Sequence, residues 1–278
     1  MNLPKPFHHK QVRFQLTPYL VWILLIFILL VSIFILLTQY QLSSNSSPDS
    51  SFNFSTSTPM PLPTQPVVTI SLPSPTTPTP PPIKTIIIDA PFASQAPFAQ
   101  WSDARFQDAC EETSSLIAYS WVHDLPLTPQ IANDTIIKLA QYQSDNFGSF
   151  VDTSVEDTVI RILRGYFQLK NIKIIIPDSS DDLVRILQSN KLIIAPMDGQ
   201  MLNNPNFTAP GPERHMLVIS GYDISTKQFI TQDPGTRNGR NFRYTSSNLW
   251  QSIRDYPTGD HIDIPSFTPK RIIVISKN

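Results

Sequence analysis

Residues 19–37, YLVWILLIFILLVSIFILL, form a single apolar run in which Ser32 is the one clearly polar member. A run of that length matches the ~17 to 25 residues a helix needs to cross a bilayer, and it exceeds the ~7 to 15 of a signal-peptide core. No small-x-small cleavage site follows in TQYQLSSN, so the expectation is an uncleaved signal-anchor, a single-pass transmembrane helix over 19–38. Lys5, Lys10 and Arg13 precede the run, and no Lys or Arg follows it before Lys84. The positive-inside bias then keeps residues 1–18 in the cytoplasm and sends the rest of the chain outside.

Residues 39–83 form a second, different stretch. Between Leu42 and Ile83 there are 11 prolines and one charged residue, Asp49, among mostly Ser and Thr. Such a composition buries too little apolar surface to offset the entropy of ordering it, so a Pro/Ser/Thr-rich extended linker is expected. What folds is therefore confined to 84–278, roughly 195 residues, enough for one domain with a core of its own. The whole-chain charge of −1 selects no charged partner, and no basic patch with interleaved aromatics points to nucleic acid. CxxC, HExxH and Gly-rich phosphate loops are missing from the sequence, so no metal or cofactor is expected.

Within 84–278 the periodicities give helices first and strands later. TIIID at 85–89 reads as a strand and CEETSSLIAYSWVHD from Cys110 as a helix whose first-turn Glu111 and Glu112 point to solvent. Thr128 before Pro129 marks the start of a second helix, and Thr153 with Glu156 has capping-box spacing ahead of VIRILRGYF. IKIII, the helix DDLVRILQS and LIIAP follow; then HMLVISGY, KQFITQ and RIIVIS read as strands around a short helix at SSNLWQSIRD. This order is α+β rather than a βαβ series.

Cys110 is the only cysteine, and it lies where a helix begins, a position that favours thiolate. A thiol nucleophile needs a base within hydrogen-bond reach, and the base needs an orienting partner. His123 lies 13 residues along the cysteine's own helix, about 20 Å away at ~1.5 Å per residue, which is out of reach. His261, in GDHIDIP, reads as a solvated loop residue. His215 heads the apolar run HMLVISGYD and is the candidate base. A hairpin centred on Ile224 sets Asp233 opposite it, provided an odd loop or a bulge keeps both side chains on one face. The segment MDGQMLNNPNFTAPGPER ahead of His215 is long and aperiodic, and reads as one wall of a cleft or as a plain surface loop.

The strings APFASQAPFAQW, DACEETS, HMLVISGYD and ITQDPG, in that order, resemble the papain-like cysteine peptidases related to the bacteriocin-processing, double-glycine-leader peptidases. The resemblance covers roughly Ile88 to Tyr256. It implies a papain-like α+β fold, with an N-terminal helical part and a C-terminal antiparallel sheet, and a cysteine peptidase using Cys110 as nucleophile, His215 as base and Asp233 as its orienting partner. With the anchor expected from the apolar run, the chain reads as a membrane-anchored extracytoplasmic peptidase. The glutamine of the family's SQ element falls on Gln95, which implies an oxyanion donor. The chain departs from the pattern there, because Gln95 lies 15 residues before the cysteine rather than a few. Gln107 is the rival donor. Leader peptidases sit on exporters, so their substrate does not carry over. A peptide or protein substrate is implied; a peptidoglycan amidase or endopeptidase in contact with the cell wall, a peptide-binding domain without activity and transglutaminase-like acyl transfer are the alternatives.

Overall fold

The computed structural model describes residues 85–277. The expected cytoplasmic segment 1–18, transmembrane helix 19–38 and linker 39–83 lie outside the described residues. Among the described residues no helix is long and apolar enough to cross a membrane.

The domain is α+β, a seven-stranded antiparallel sheet with helices packed on it. In chain order it runs β1 (Thr85–Ile87), α1 (Ala104–Gln107), α2 (Cys110–Val122), α3 (Pro129–Phe147), α4 (Val155–Asp157) continued by a π-helix (Thr158–Tyr166), β2 (Ile172–Ile175), α5 (Ser180–Gln188) and β3 (Leu192–Met197). Then come α6 (Gly199–Leu202), β4 (His215–Asp223), β5 (Gln228–Gln232), β6 (Phe242–Thr245), α7 (Ser246–Ser252) and β7 (Ile272–Ile275). The sheet order is β2-β7-β3-β4-β5-β6, with β1 also paired to the far end of β4. LIIAPM of β3 and IIVI of β7 are buried at every residue, as continuous apolar runs in mid-sheet should be.

The helix starts follow their caps. Thr128 Oγ1 accepts from Ile131 N–H at 3.2 Å with Pro129 as first helical residue, and α3 stops at Gly148, where φ is +83°. The expected cap at Thr153 is corrected by one residue: Ser154 Oγ accepts from Asp157 N–H at 3.2 Å, while Thr153 Oγ1 bonds Thr158 Oγ1 at 2.8 Å. Sequence periodicity does not separate the π-helix that follows from an α-helix.

The larger correction concerns α2. Nearly all its residues are buried, Glu111 and Glu112 included, at 2% and 1% exposure. The helix lies between β3 and β4 on one side and α3 and the π-helix on the other, which leaves it no solvent face. Its polar residues are absorbed internally: Ser114 Oγ donates to Met216 O at 3.1 Å, and Glu112 Oε1 accepts from Gln143 Nε2 at 2.5 Å. The cysteine at its head is thereby tied to the sheet that carries His215.

Candidate active site

Cys110 is the first residue of α2, after an N-cap, Ala109, that makes no side-chain capping bond. Its backbone N–H is one of the orphan donors of a helix start. The side chain lines a cleft of about 990 Å³, together with Gln95, Phe207, His215 and Gly235. The aperiodic segment ahead of β4 supplies one wall of this cleft, through Asn206 to Pro212.

His215 opens β4 opposite Met197, and Phe207 packs edge-on against its ring at 5.3 Å. Its Nε2 lies 2.8 Å from Asp233 Oδ1. Of the ring nitrogens, Nδ1 is then the one left for the cleft. Asp233, fully buried just past β5, accepts four hydrogen bonds. Gly235 N–H adds to His215 at Oδ1 (3.1 Å), and Tyr244 Oη–H (2.5 Å) and Asn204 Nδ2 (3.2 Å) donate to Oδ2. Burial works against its charge, yet the imidazole and these donors hold its carboxyl below the usual carboxylate range. Tyr244 is pushed up by burial and by facing that carboxylate. Two glycines permit the close packing: a Cβ at Gly239 would lie 1.8 Å from Asp233 O, and one at Gly235 would lie 2.8 Å from His215 Cε1. Tyr244 and Asn204 escaped the sequence reading. The only signal for Tyr244 is its place in a strand, and for Asn204 there is none.

Gln95 reaches the cleft because its segment is pinned beside Asp233: its N–H donates to Pro234 O at 2.9 Å. Its Nε2 donates to Phe106 O at 3.0 Å and Gln107 O at 2.7 Å, and its buried Oε1 has no partner. Gln107 also lines the cleft, but its side-chain amide donates to Trp101 O and closes the 101–107 turn.

The thiol's own environment differs from the sequence expectation. Cys110 Sγ donates to Glu111 Oε2 at 3.0 Å. Burial first, and then the charge of Glu111, push the thiol well above its ordinary range, so the geometry opposes the thiolate that a helix start alone would favour. Burial likewise raises Glu111, against the bonds it accepts from Cys110 and Tyr256.

The two other histidines lie elsewhere. His123 caps the far end of α2, 4.6 Å from Tyr119. His261 is 59% exposed and bonds Asp152 Oδ2 through Nδ1 at 3.0 Å, a carboxylate that also meets Arg214 Nε at 3.3 Å.

A cysteine at the head of a buried helix, a strand-borne histidine backed by a carboxylate and a cleft between them define a papain-like peptidase domain. Residues 87–257 match the peptidase C39-like family, and the chain belongs to that family. A solved structure described as a C39-like peptidase from Bacillus anthracis aligns at 13% identity with a TM-score of 0.46, covering 70% of this chain and 99% of that one. No curated protein matches the chain.

Proposed function

We propose that the domain is a thiol-dependent cysteine peptidase in which Cys110 is the nucleophile, His215 the base and acid, and Asp233 the group that orients it. The observation that carries this reading is the 2.8 Å contact between His215 Nε2 and Asp233 Oδ1 in a cleft that also holds Cys110. In the first step the Cys110 proton passes to His215 Nδ1 as the sulfur–carbon bond forms at the substrate carbonyl. The carbonyl electrons move to oxygen, next to the Cys110 N–H at the positive end of α2. When the intermediate collapses, the C–N bond breaks and the imidazolium protonates the leaving amine. Water, deprotonated by His215, then attacks the thioester, and the acid product leaves with the thiol restored.

Gln95 is the proposed second oxyanion donor. Both its amide protons rest on α1 carbonyls, so this role requires one of those bonds to be exchanged for the oxyanion. The apolar run at 19–37 and the basic residues before it support a single-pass anchor with this domain outside the membrane.

One observation favours a second reading, a peptide-binding domain with a silent thiol: Sγ is bonded to Glu111. The deciding experiment incubates full-length protein in detergent with a diverse peptide mixture and, separately, with purified peptidoglycan. New amine termini that vanish in Cys110→Ala support the peptidase. Wall cleavage alone supports the amidase or endopeptidase alternative, and binding without cleavage supports the silent domain.

A further inference from the structure

The bond from Cys110 Sγ to Glu111 has no part in the mechanism above, and it is built rather than incidental. Glu111 comes from the same first turn as the sulfur and is 2% exposed, so its carboxylate has no water to turn to. Its Oε1 accepts from Tyr256 Oη–H at 2.8 Å and from Thr153 N–H at 3.2 Å. These donors belong to two segments remote in sequence, one after α7 and one before α4, and together they fix the carboxylate. Its Oε2 is thereby aimed at the sulfur, its partner at 3.0 Å.

We propose that Glu111 is a further catalytic residue of this site, storing the nucleophile as a neutral, hydrogen-bonded thiol that is released toward His215 only when substrate is attacked. This rests on Cys110 being the nucleophile. A resting thiolate–imidazolium pair would place a second negative charge 3.0 Å from a buried carboxylate, a repulsion that low-dielectric surroundings strengthen. The charges facing the pair do not relieve this. On its own helix stands Glu112, from the loop before α4 comes Asp152, and the Tyr256 hydroxyl is the neutral donor from the other side. The nearby Arg214 and His261 side chains are engaged with Asp152. During attack the S–H bond turns from Glu111 Oε2 to His215 Nδ1, the proton moves to the imidazole and the sulfur–carbon bond forms. Glu111 keeps its charge, its two donors on Oε1 and the favourable dipole of the first helical turn. Once the thiol is regenerated, the vacated Oε2 draws it back.

Infrared spectroscopy of the S–H stretch and iodoacetamide alkylation against pH, both on full-length protein in detergent, test this without needing turnover. The S–H band of wild type, identified by its loss in Cys110→Ala, should lie at the low frequency of a strongly bonded thiol. In Glu111→Gln it should rise, and alkylation near pH 7 should quicken at least about tenfold, since one unit of thiol pKa is a factor of ten. Superimposable bands and alkylation profiles for wild type and Glu111→Gln would overturn the proposal. If Glu111→Gln does not fold, Tyr256→Phe decides: it changes the carboxylate without touching the sulfur, so the band must move, and an unmoved band overturns the proposal. Retained peptide turnover in Cys110→Ala would instead defeat the nucleophile assignment and leave the spectroscopic result standing.

Discussion

His215 and Asp233 meet at 2.8 Å because the β4–β5 hairpin carries one extra residue. Near the turn, Gly221 pairs with Ile230 and Asp223 with Gln228, whereas beyond it Ile219 pairs with Thr231 and Val218 with Gln232. Ser220 is the residue that β5 does not match. In the register of the turn, Asp233 would lie across from Val218, on the face away from His215. After the bulge it lies across from Leu217, on the face His215 shares, one diagonal step away. The surplus residue is also used elsewhere: Ser220 O accepts from Ile88 N–H at 2.7 Å, which leads the chain on toward Gln95. The bulge thus sets the carboxylate proposed to orient His215, and the residue it adds lies beside the segment that leads to the proposed oxyanion donor.

The histidines provide the first test. Cys110→Ala and His215→Ala should each reduce peptide turnover to background, because members of a catalytic unit fail together. His123→Ala and His261→Ala should retain it, and His261→Ala should leave the buried Asp152 still paired with Arg214. Turnover and thermal midpoints of the four variants decide the matter. A dead His261→Ala beside a live His215→Ala would show that His261, not His215, is the base.

Gln95→Ala separates two roles of one side chain. If the amide leaves the α1 carbonyls to bind the oxyanion, kcat should fall by about 10² to 10³ with KM little changed. If it only holds Phe106 O and Gln107 O, the thermal midpoint should drop and kcat should follow no further than the folded fraction. Steady-state kinetics on folded protein distinguish these outcomes.

The parts of this site that were legible in the sequence are those governed by local rules. A lone thiol at a helix start, a histidine heading an apolar strand, and Asp-Pro-Gly closing the next strand can all be read from short windows. Even the need for an odd loop or bulge could be stated in advance, because strand parity is arithmetic. What could not be read depends on distant packing. The hairpin is not centred on the expected Ile224: the loop runs from Ile224 to Lys227, and after the bulge Asp233 lies across from Leu217 rather than directly opposite His215, which it meets diagonally. Glu111 and Glu112 look like solvent-facing first-turn residues until Tyr256, Thr153 and Gln143, all remote in sequence, close over them.

Glu112 should make stability depend on pH. Burial, and then the neighbouring Glu111, raise its carboxyl well above the usual range, so the folded state binds its proton more tightly than the unfolded chain does. Its contribution is therefore intact below the unfolded value of about 4.3 and is lost as pH rises from there toward the folded value. Glu112→Gln, which keeps an acceptor for Gln143, should raise the thermal midpoint at pH 7 and give no gain near pH 4. Parallel midpoint curves for variant and wild type across that range would contradict this.

Protease added to intact cells or spheroplasts tests the proposed topology. With Lys5, Lys10 and Arg13 inside, cleavage within 39–83 should release a fragment containing Cys110 while residues 1–18 stay protected. A domain shielded until the membrane is lysed would reverse the orientation.

The sharpest prediction concerns the carboxylate behind the imidazole. All four groups around Asp233 are donors: His215 Nε2 and Gly235 N–H at Oδ1, Tyr244 Oη–H and Asn204 Nδ2 at Oδ2. An asparagine offers one oxygen and one amide nitrogen, so whichever way it turns, its NH₂ faces a fixed donor, Gly235 N–H on one side or Asn204 Nδ2 on the other, in a site closed to water. Asp233→Asn should therefore lose about 1–3 kcal/mol or more from unpaired buried groups, and it also removes the charge that steadies the imidazolium. Tyr244→Phe removes one donor and keeps the charge, so it should fold less stably but retain most of its turnover. The sign with pH follows from the lowered carboxyl: its contribution is present above the unfolded value of about 3.9 and disappears as pH falls through the folded one. Acid unfolding of wild type and Asp233→Asn should accordingly diverge above about pH 4 and converge below it. An Asp233→Asn protein with wild-type turnover and the same acid-unfolding curve would show that the imidazole is held by something other than this charge.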